Sequence, residues 1–524
     1  MKPFLLHKTL LLAGLMLLAG KMYAEDPAYK EISVNNIRAS VHADGLFFTD
    51  DNFVPGNESV FEVPKGGGNS ALYAGSLWAS GFDEGGNLYT AAQTYRQRGV
   101  DYHPGPSPET LGHKPGPSWN KLWKVTKDMI KEHRQNYDDP DYNMPAAIEG
   151  WPAHADGASS DVLAPYFDKN RNEQYEPHSG DYPFIKGDEA IYFIFSDAET
   201  ENEETNSPPM GIEVKGQIYG YDEPDHHFLD NTLFLDMVVT NTSENTYEDV
   251  SLGLWSDIRL GDHFNNYFGS SEERNMYYGY LGEEKDEHYG ELRPSIGVTL
   301  LNQDLGHTSA YLNNAGKDGN PESSEHYHNY LIGENKEGEA FSHEGSASNL
   351  YYPGNPCTSE GVYEADKNNP MGDRRGLGAV QKDKWEPGEH IEIQAAYVFG
   401  ESYEGNAESV CNLKDRVRKV RDFYEQGQEF DEKGPVLNIA DQTLKQPEAI
   451  LYPNPADEAL NIELEEGSVI EGEVSIFDMQ GRKKLEEQLN GATQIDVAYL
   501  ESGSYIAKVQ WEGNSSRHRL LIAR

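Results

Sequence analysis

Apolar and polar positions alternate in short runs along most of this chain, and long helical stretches are few. Leu233, Leu235, Met237 and Val239 recur at every second position, as a strand with one buried face requires. Ile391, Ile393, Ala395 and Tyr397 repeat the pattern. The run Ala190–Phe195 (AIYFIF) is apolar throughout, which predicts a strand buried on both faces. Turn signals such as Asp83-Glu84-Gly85-Gly86 and Pro353-Gly354-Asn355-Pro356 punctuate these runs. Two stretches change to a helical period. From Trp119, the residues Leu122, Trp123, Met129, Ile130 and His133 share one helical face. From Ser409, the series Val410, Leu413, Val417, Val420 and Tyr424 does the same, with Gly427 as a stop. Lys414, Arg416, Arg418, Lys419 and Arg421 lie on its other side. In so acidic a chain they are expected to dock on the protein's own carboxylates, a partner-binding surface being the alternative. The predicted fold class is mainly β: a large sandwich-like region with a few helices, then a smaller β module.

The ends of the chain have a different composition. Lys2 and Lys8 precede an apolar run from Leu10 to Ala19, and Ala24 closes it ahead of Glu25 and Asp26. This predicts a secretory signal peptide over residues 1–24. The run is too short for a stable span, which needs about 20 apolar residues, and nothing else in the sequence approaches one. Residues 431–448 (DEKGPVLNIADQTLKQPE) are polar, hold two prolines and read as a linker. The formal charge is −46. A field of that sign excludes nucleic acid and anionic lipid as partners and is suited to salty surroundings. Two cysteines are present, Cys357 and Cys411. In an oxidising compartment they pair or remain as buried thiols, and the sequence leaves both open.

The last segment carries specific landmarks. Tyr452, Pro453, Asn454 and Pro455 open it, and Leu460, Ile462 and Leu464 alternate as a strand. Ile476 and Asp478 lead into the turn at Gly481 and Arg482, and Gly503 and Tyr505 begin a hairpin. Arg517, His518 and Arg519 precede an aliphatic end. Over about 75 residues (449–524) this pattern resembles the type A C-terminal sorting domain of the type IX secretion system. The resemblance implies an Ig-like sandwich recognised by the outer-membrane export machinery. It also implies removal of the tail by a peptidase, with release of the product or anchoring through surface lipopolysaccharide.

The β-rich region spans residues 25–430, and most of residues 30–425 resembles large proteins that carry the same tail. The matching motifs include Phe61-Glu62-Val63-Pro64, Trp151-Pro152-Ala153-His154, Gly180-Asp181-Tyr182-Pro183 and Gly372-Asp373-Arg374-Arg375. That resemblance carries no activity with it. One segment has a definite chemistry: Asp168, Asn170, Asn172, Gln174 and Glu176 present oxygens at the spacing of a calcium loop. The related proteins tend to show Asp-x-Asn-x-Asp-Gly here. Asn172, Glu173 and Ser179 depart from the full pattern, and Asp181 stands two residues beyond the usual closing acid. A hydrogen-bonded polar turn is the competing expectation. Asp257, Asp262, Asn265 and Asn266 form a second polar stretch, read as a structural turn with ligand binding as the alternative. His326 and His328 would share one face if they lay on a strand. No His-Glu-x-x-His, Gly-x-Ser-x-Gly or phosphate-binding glycine loop occurs. The functional expectation is a non-catalytic extracellular or surface protein of binding or adhesion type, with extracellular polysaccharide among its candidate partners. The alternative is a secreted polysaccharide-degrading hydrolase whose carboxylate pair sequence cannot nominate among 89 acids.

Deleting residues 447–524 is expected to retain the protein in the periplasm, as checked by surface proteolysis and fractionation of cells. Undiminished surface display of the truncated chain would refute the sorting role.

Overall fold

The computed structural model describes residues 27–49, 61–95, 98–108, 119–154, 162–426 and 449–523, the last two ranges with short interruptions. The predicted signal peptide, the predicted linker and Gly427 lie outside the described residues. The chain divides into two compact units, Met1–Ala440 and Asp441–Arg524.

The first unit is built on two antiparallel sheets. Their main strands are β1 (Leu72–Asp83), β2 (Leu88–Ala92), β3 (Trp123–Thr126), β4 (Glu189–Ser196), β5 (Ile212–Gly220), β6 (Thr232–Asn241) and β7 (Tyr247–Ile258). The remainder are β8 (Asn266–Ser271), β9 (Met276–Leu281), β10 (Arg293–Leu300), β11 (His307–Leu312), β12 (Arg374–Trp385) and β13 (His390–Ser402). The larger sheet runs β8-β9-β10-β13-β6-β5-β4, with β3 and His103–Pro104 both pairing with β4. The smaller runs β11-β12-β7-β1-β2.

Alternation along the strands decides what lies on each side. Ile191, Phe193 and Phe195 of β4, Leu233, Leu235, Met237 and Val239 of β6, and Ile393, Ala395 and Tyr397 of β13 face the smaller sheet. They meet Leu77 and Ala79 of β1 and Leu252 and Leu254 of β7 in the central core. The opposite face of β4 carries Ala190, Tyr192 and Ile194 and joins a second cluster with Val410, Leu413, Val417 and Val420. AIYFIF is therefore buried on both sides, as its composition predicts. The outer face of the smaller sheet holds Trp78 and Trp255, stacked 5.6 Å apart, under Tyr327 and Tyr330. The layers are thus helix, large sheet, small sheet, helix.

Three helices matter to this arrangement: α1 (Lys127–Asn136), α2 (Ser324–Leu331) and α3 (Asn406–Glu425). α3 forms as its periodicity predicts and covers the large sheet. Its basic residues are engaged internally. Arg416 forks onto Glu401 at 2.5 and 2.6 Å, Arg418 bridges Asp415 and Asp422, and Lys419 pairs with Asp415 at 2.7 Å. Lys414 lies 5.5 Å over the Tyr278 ring, where burial lowers its pKa to about 8. α1 starts later than expected. Trp123 and Val125 pair with β4 as a strand, and Thr126 caps the helix by accepting from the Met129 amide at 3.1 Å. The shared face from Trp119 arose because strand and helix periods coincide over so few residues. His326 and His328 sit on α2, not on a strand, so two positions apart they point to different sides. His328 meets Ser80 Oγ at 3.0 Å in the core.

Cys357 and Cys411 form a disulfide with Cα atoms 5.3 Å apart, which ties the excursion after α2 to α3. Among the described residues no helix is long and apolar enough to cross a membrane.

The second unit is a small Ig-like sandwich. Ala449–Tyr452, Ala459–Leu464 and Gln494–Asp496 make one sheet. Lys483–Asn490, Glu471–Asp478, Gly503–Trp511 and Asn514–Ile522 make the other. Leu460, Ile462, Val474, Ile476, Ala507, Val509 and Leu520 alternate into its core.

The disulfide closes a loop of 54 residues, so a Cys357→Ser/Cys411→Ser chain is expected to lose about 4 kcal/mol in chemical denaturation. An unchanged midpoint would mean that the bridge contributes nothing to stability.

Candidate functional site

All six residues of the predicted calcium loop come together in one turn. Asp168 accepts the amides of Arg171 at 2.6 Å and Glu173 at 2.7 Å. Asn170 and Asn172 accept the amides two residues on, at 3.1 and 3.0 Å. Their own side-chain amides donate to one oxygen of Glu176, at 3.0 and 2.7 Å. Gln174 donates its side-chain amide to the Glu173 carbonyl. Asp181 is buried and closes the turn by accepting from the Lys169 and Glu176 amides at 2.9 and 2.7 Å. Glu173 takes φ +61°, a conformation a glycine adopts more cheaply. Donors within the turn thus bond the carboxylates of Asp168, Glu176 and Asp181. Among the described residues no group of three or more His, Cys, Asp or Glu side chains is arranged to hold a metal.

The second polar stretch separates into two structural roles. Asp257 ends β7 inside the protein, paired with Arg375 at 3.2 Å and bonded to the Tyr95 hydroxyl. Asp262 caps a short turn by accepting from the Phe264 amide, and Asn266 donates to the Asp262 carbonyl at 2.7 Å. Asn265 and the Asp262 amide both bond Asp286. Asp257 is thus not grouped with the other three.

Buried acids elsewhere have strongly perturbed protonation. Burial pushes Asp257 up to about 7 against the pull of Arg375, and Asp101 up to about 7 against four donors. Asp197 and Glu364 are raised by the same cause. Such shifts mark functional groups when the acid faces a cleft. These four are 0–3 % exposed and committed to internal donors, so no substrate reaches them.

An accessible site opens where the two sheets part. A cavity of about 370 Å³ is floored by Val250, Leu252, Val380 and Ile391 of the central core. Its walls carry Asn302, Gln303, Gln381, Lys382, His390 and Glu392. The volume lies in the range of small-ligand sites. Several walls are held in place. Asn302 and Gln303 donate to the Glu392 carbonyl at 3.1 and 3.2 Å. Gln381 spans Ser251 and the Leu331 carbonyl, and Lys382 pairs with Glu389 at 3.2 Å. Glu392 is the one acidic residue in the lining. Its carboxylate lies 3.5 Å from the Gln394 side-chain amide, on the other face of β13 from Ile391 and Ile393, where it also borders the second groove with Asp236. A shallower groove of about 50 Å³ on the outer face of the large sheet is spanned by the Lys186–Asp236 ion pair. None of the cavity residues was nominated from sequence, because they come from four separate segments and no local motif joins them.

In the second unit Tyr452 is exposed and Tyr505 buried, with Gly503 opening its strand and Arg482 at the surface. Asn454, Pro455 and Gly481 lie outside the described residues.

Residues 450–523 match the family model described as the secretion system C-terminal sorting domain. No curated protein matches the chain. Among solved structures, a polysaccharide lyase aligns at 11 % identity and TM-score 0.20, over 69 % of this chain and 39 % of its own. A putative aldose 1-epimerase from Escherichia coli K12 aligns at 8 % identity and TM-score 0.26, over 71 % and 98 %. A family GH92 inverting mannosidase from Bacteroides thetaiotaomicron aligns at 6 % and 0.19, over 47 % and 26 %. The chain spans well under half of the lyase and the mannosidase, and likenesses this distant carry no functional argument.

The melting temperature is expected to be the same in calcium and in chelator, measured by differential scanning fluorimetry. A rise that saturates with calcium would instead assign the 168–181 loop as an ion site.

Proposed function

We propose that this protein, whose C-terminal unit is a type IX secretion sorting domain, is a non-catalytic glycan-binding protein of the cell exterior. The sorting domain directs the chain to the cell surface or beyond the outer membrane. The binding role is assigned to the cavity at the parting of the sheets. The observation that carries it is the composition of that lining: an aliphatic floor of Val250, Leu252, Val380 and Ile391, bordered by the amide side chains of Asn302 and Gln303.

An apolar floor suits the C–H face of a sugar ring, and side-chain amides suit its hydroxyls. Asn302 and Gln303, both held by the Glu392 carbonyl, lose less entropy on binding. Glycoside hydrolysis ordinarily needs two carboxylates about 5 to 10 Å apart. Glu392 is the one acid among the residues that line the cavity, which supports binding over hydrolysis there.

The full mature chain is tested by calorimetric titration with mono- and disaccharides. Asn302→Ala and Gln303→Ala are each expected to weaken binding about tenfold, with no reducing ends released from any polymer. Release of reducing ends would overturn the non-catalytic reading, and unchanged affinity in both variants would remove the cavity from it.

A further inference from the structure

Among the described residues of the first unit the large exposed aromatics are Tyr29 at 53 %, Phe264 at 63 % and Tyr403 at 73 %; Phe264 and Tyr403 adjoin strands of the large sheet. The two are 139 positions apart in sequence, and strand pairing brings them to the same end of the large sheet. Tyr267 of β8 pairs with Tyr280 of β9, Tyr280 with Ser295 of β10, and Ser295 with Gly400 of β13. Phe264 stands three residues outside that row at the start of β8. Tyr403 stands three residues outside it at the end of β13. The two turns are separated by three strand spacings, about 14 Å.

Both turns are held by hydrogen bonds. The Phe264 amide donates to Asp262 at 3.0 Å, and the ring packs on His263 with centroids 4.0 Å apart. Asp286 holds that turn through the Asp262 amide and Asn265. On the other side, Arg293 donates to the Tyr403 carbonyl at 2.7 Å, and the Glu404 amide donates to Ser402. The loop between β9 and β10 joins the two, since Gly282 donates to the Asn265 carbonyl and Asn406 to the Glu283 carbonyl. Glu283 and Glu287 of that loop and Glu404 beside Tyr403 are exposed.

We propose that Phe264 and Tyr403 form a two-ring platform that docks a linear, uncharged polysaccharide across the β8-β9-β10-β13 end of the sheet. A protein partner would call for a contiguous apolar core. Two isolated rings with polar, acceptor-rich ground between them fit a polymer that offers one C–H face per ring and hydroxyls in between. The glutamates and the chain's charge of −46 exclude acidic polymers. The platform lies at the opposite end of β13 from the cavity, about 35 Å away for the intervening ten residues, and does not depend on it.

The test is affinity electrophoresis of the full mature chain in native gels containing hydroxyethyl cellulose, glucomannan or alginate. Retardation is expected in at least one of the two neutral polymers and not in alginate. Phe264→Ala and Tyr403→Ala should each weaken it about tenfold, Phe264→Trp should retain it, and Gln303→Ala should leave it unchanged. Melting temperatures equal to the parent chain establish that these surface variants fold. No retardation by either neutral polymer, equal retardation by alginate, or a Phe264→Ala/Tyr403→Ala chain that runs like the parent would overturn the proposal. Loss of retardation in Gln303→Ala alone would transfer polymer binding to the cavity.

Discussion

Strands β4, β6 and β13 carry apolar side chains on both faces, and a sheet of that kind is stable only if each face is covered. One face of the large sheet is closed by the small sheet through Leu77, Leu252 and Leu254. The other is closed by α3 and the chain around Trp123, Trp151 and Leu163. The small sheet then has its own outer face to cover, and Tyr327 and Tyr330 of α2 close it over Trp78 and Trp255. Each layer therefore exists because the one beneath it exposes apolar surface.

The same requirement explains the internal use of charge. A chain of net −46 must place its few cations where they offset buried acids. Arg374 on Glu364 and Arg375 on Asp257 do this at salt-bridge distance. Both acids are buried, and burial is the first cause of their raised protonation. The basic face of α3 follows the same rule.

Covalent and local constraints secure the long excursion between β11 and β12. The Cys357–Cys411 bridge ties it to α3, and α2 lies within it as the cover of the small sheet. The 168–181 turn is secured differently, by carboxylates and side-chain amides that cap its own backbone. In both cases irregular chain is held without a continuous ladder of backbone hydrogen bonds.

The chain by itself determined whatever depends on neighbours in sequence. Period-two alternation specified β6 and β13, the unbroken run AIYFIF specified a doubly buried strand, and period 3.6 specified α3. The closely spaced landmarks from Tyr452 to Tyr505 identified the sorting unit, because such motifs are local. Tertiary structure decided the rest. Trp123 became a strand residue because pairing with β4 outweighed a brief helical pattern. His326 and His328 fell on a helix that packs over Trp78, and the two cysteines met because α3 folds back across the sheet. The cavity and the ring pair were invisible in sequence for the same physical reason: each is assembled from residues that only strand pairing, across more than a hundred positions, brings to one place.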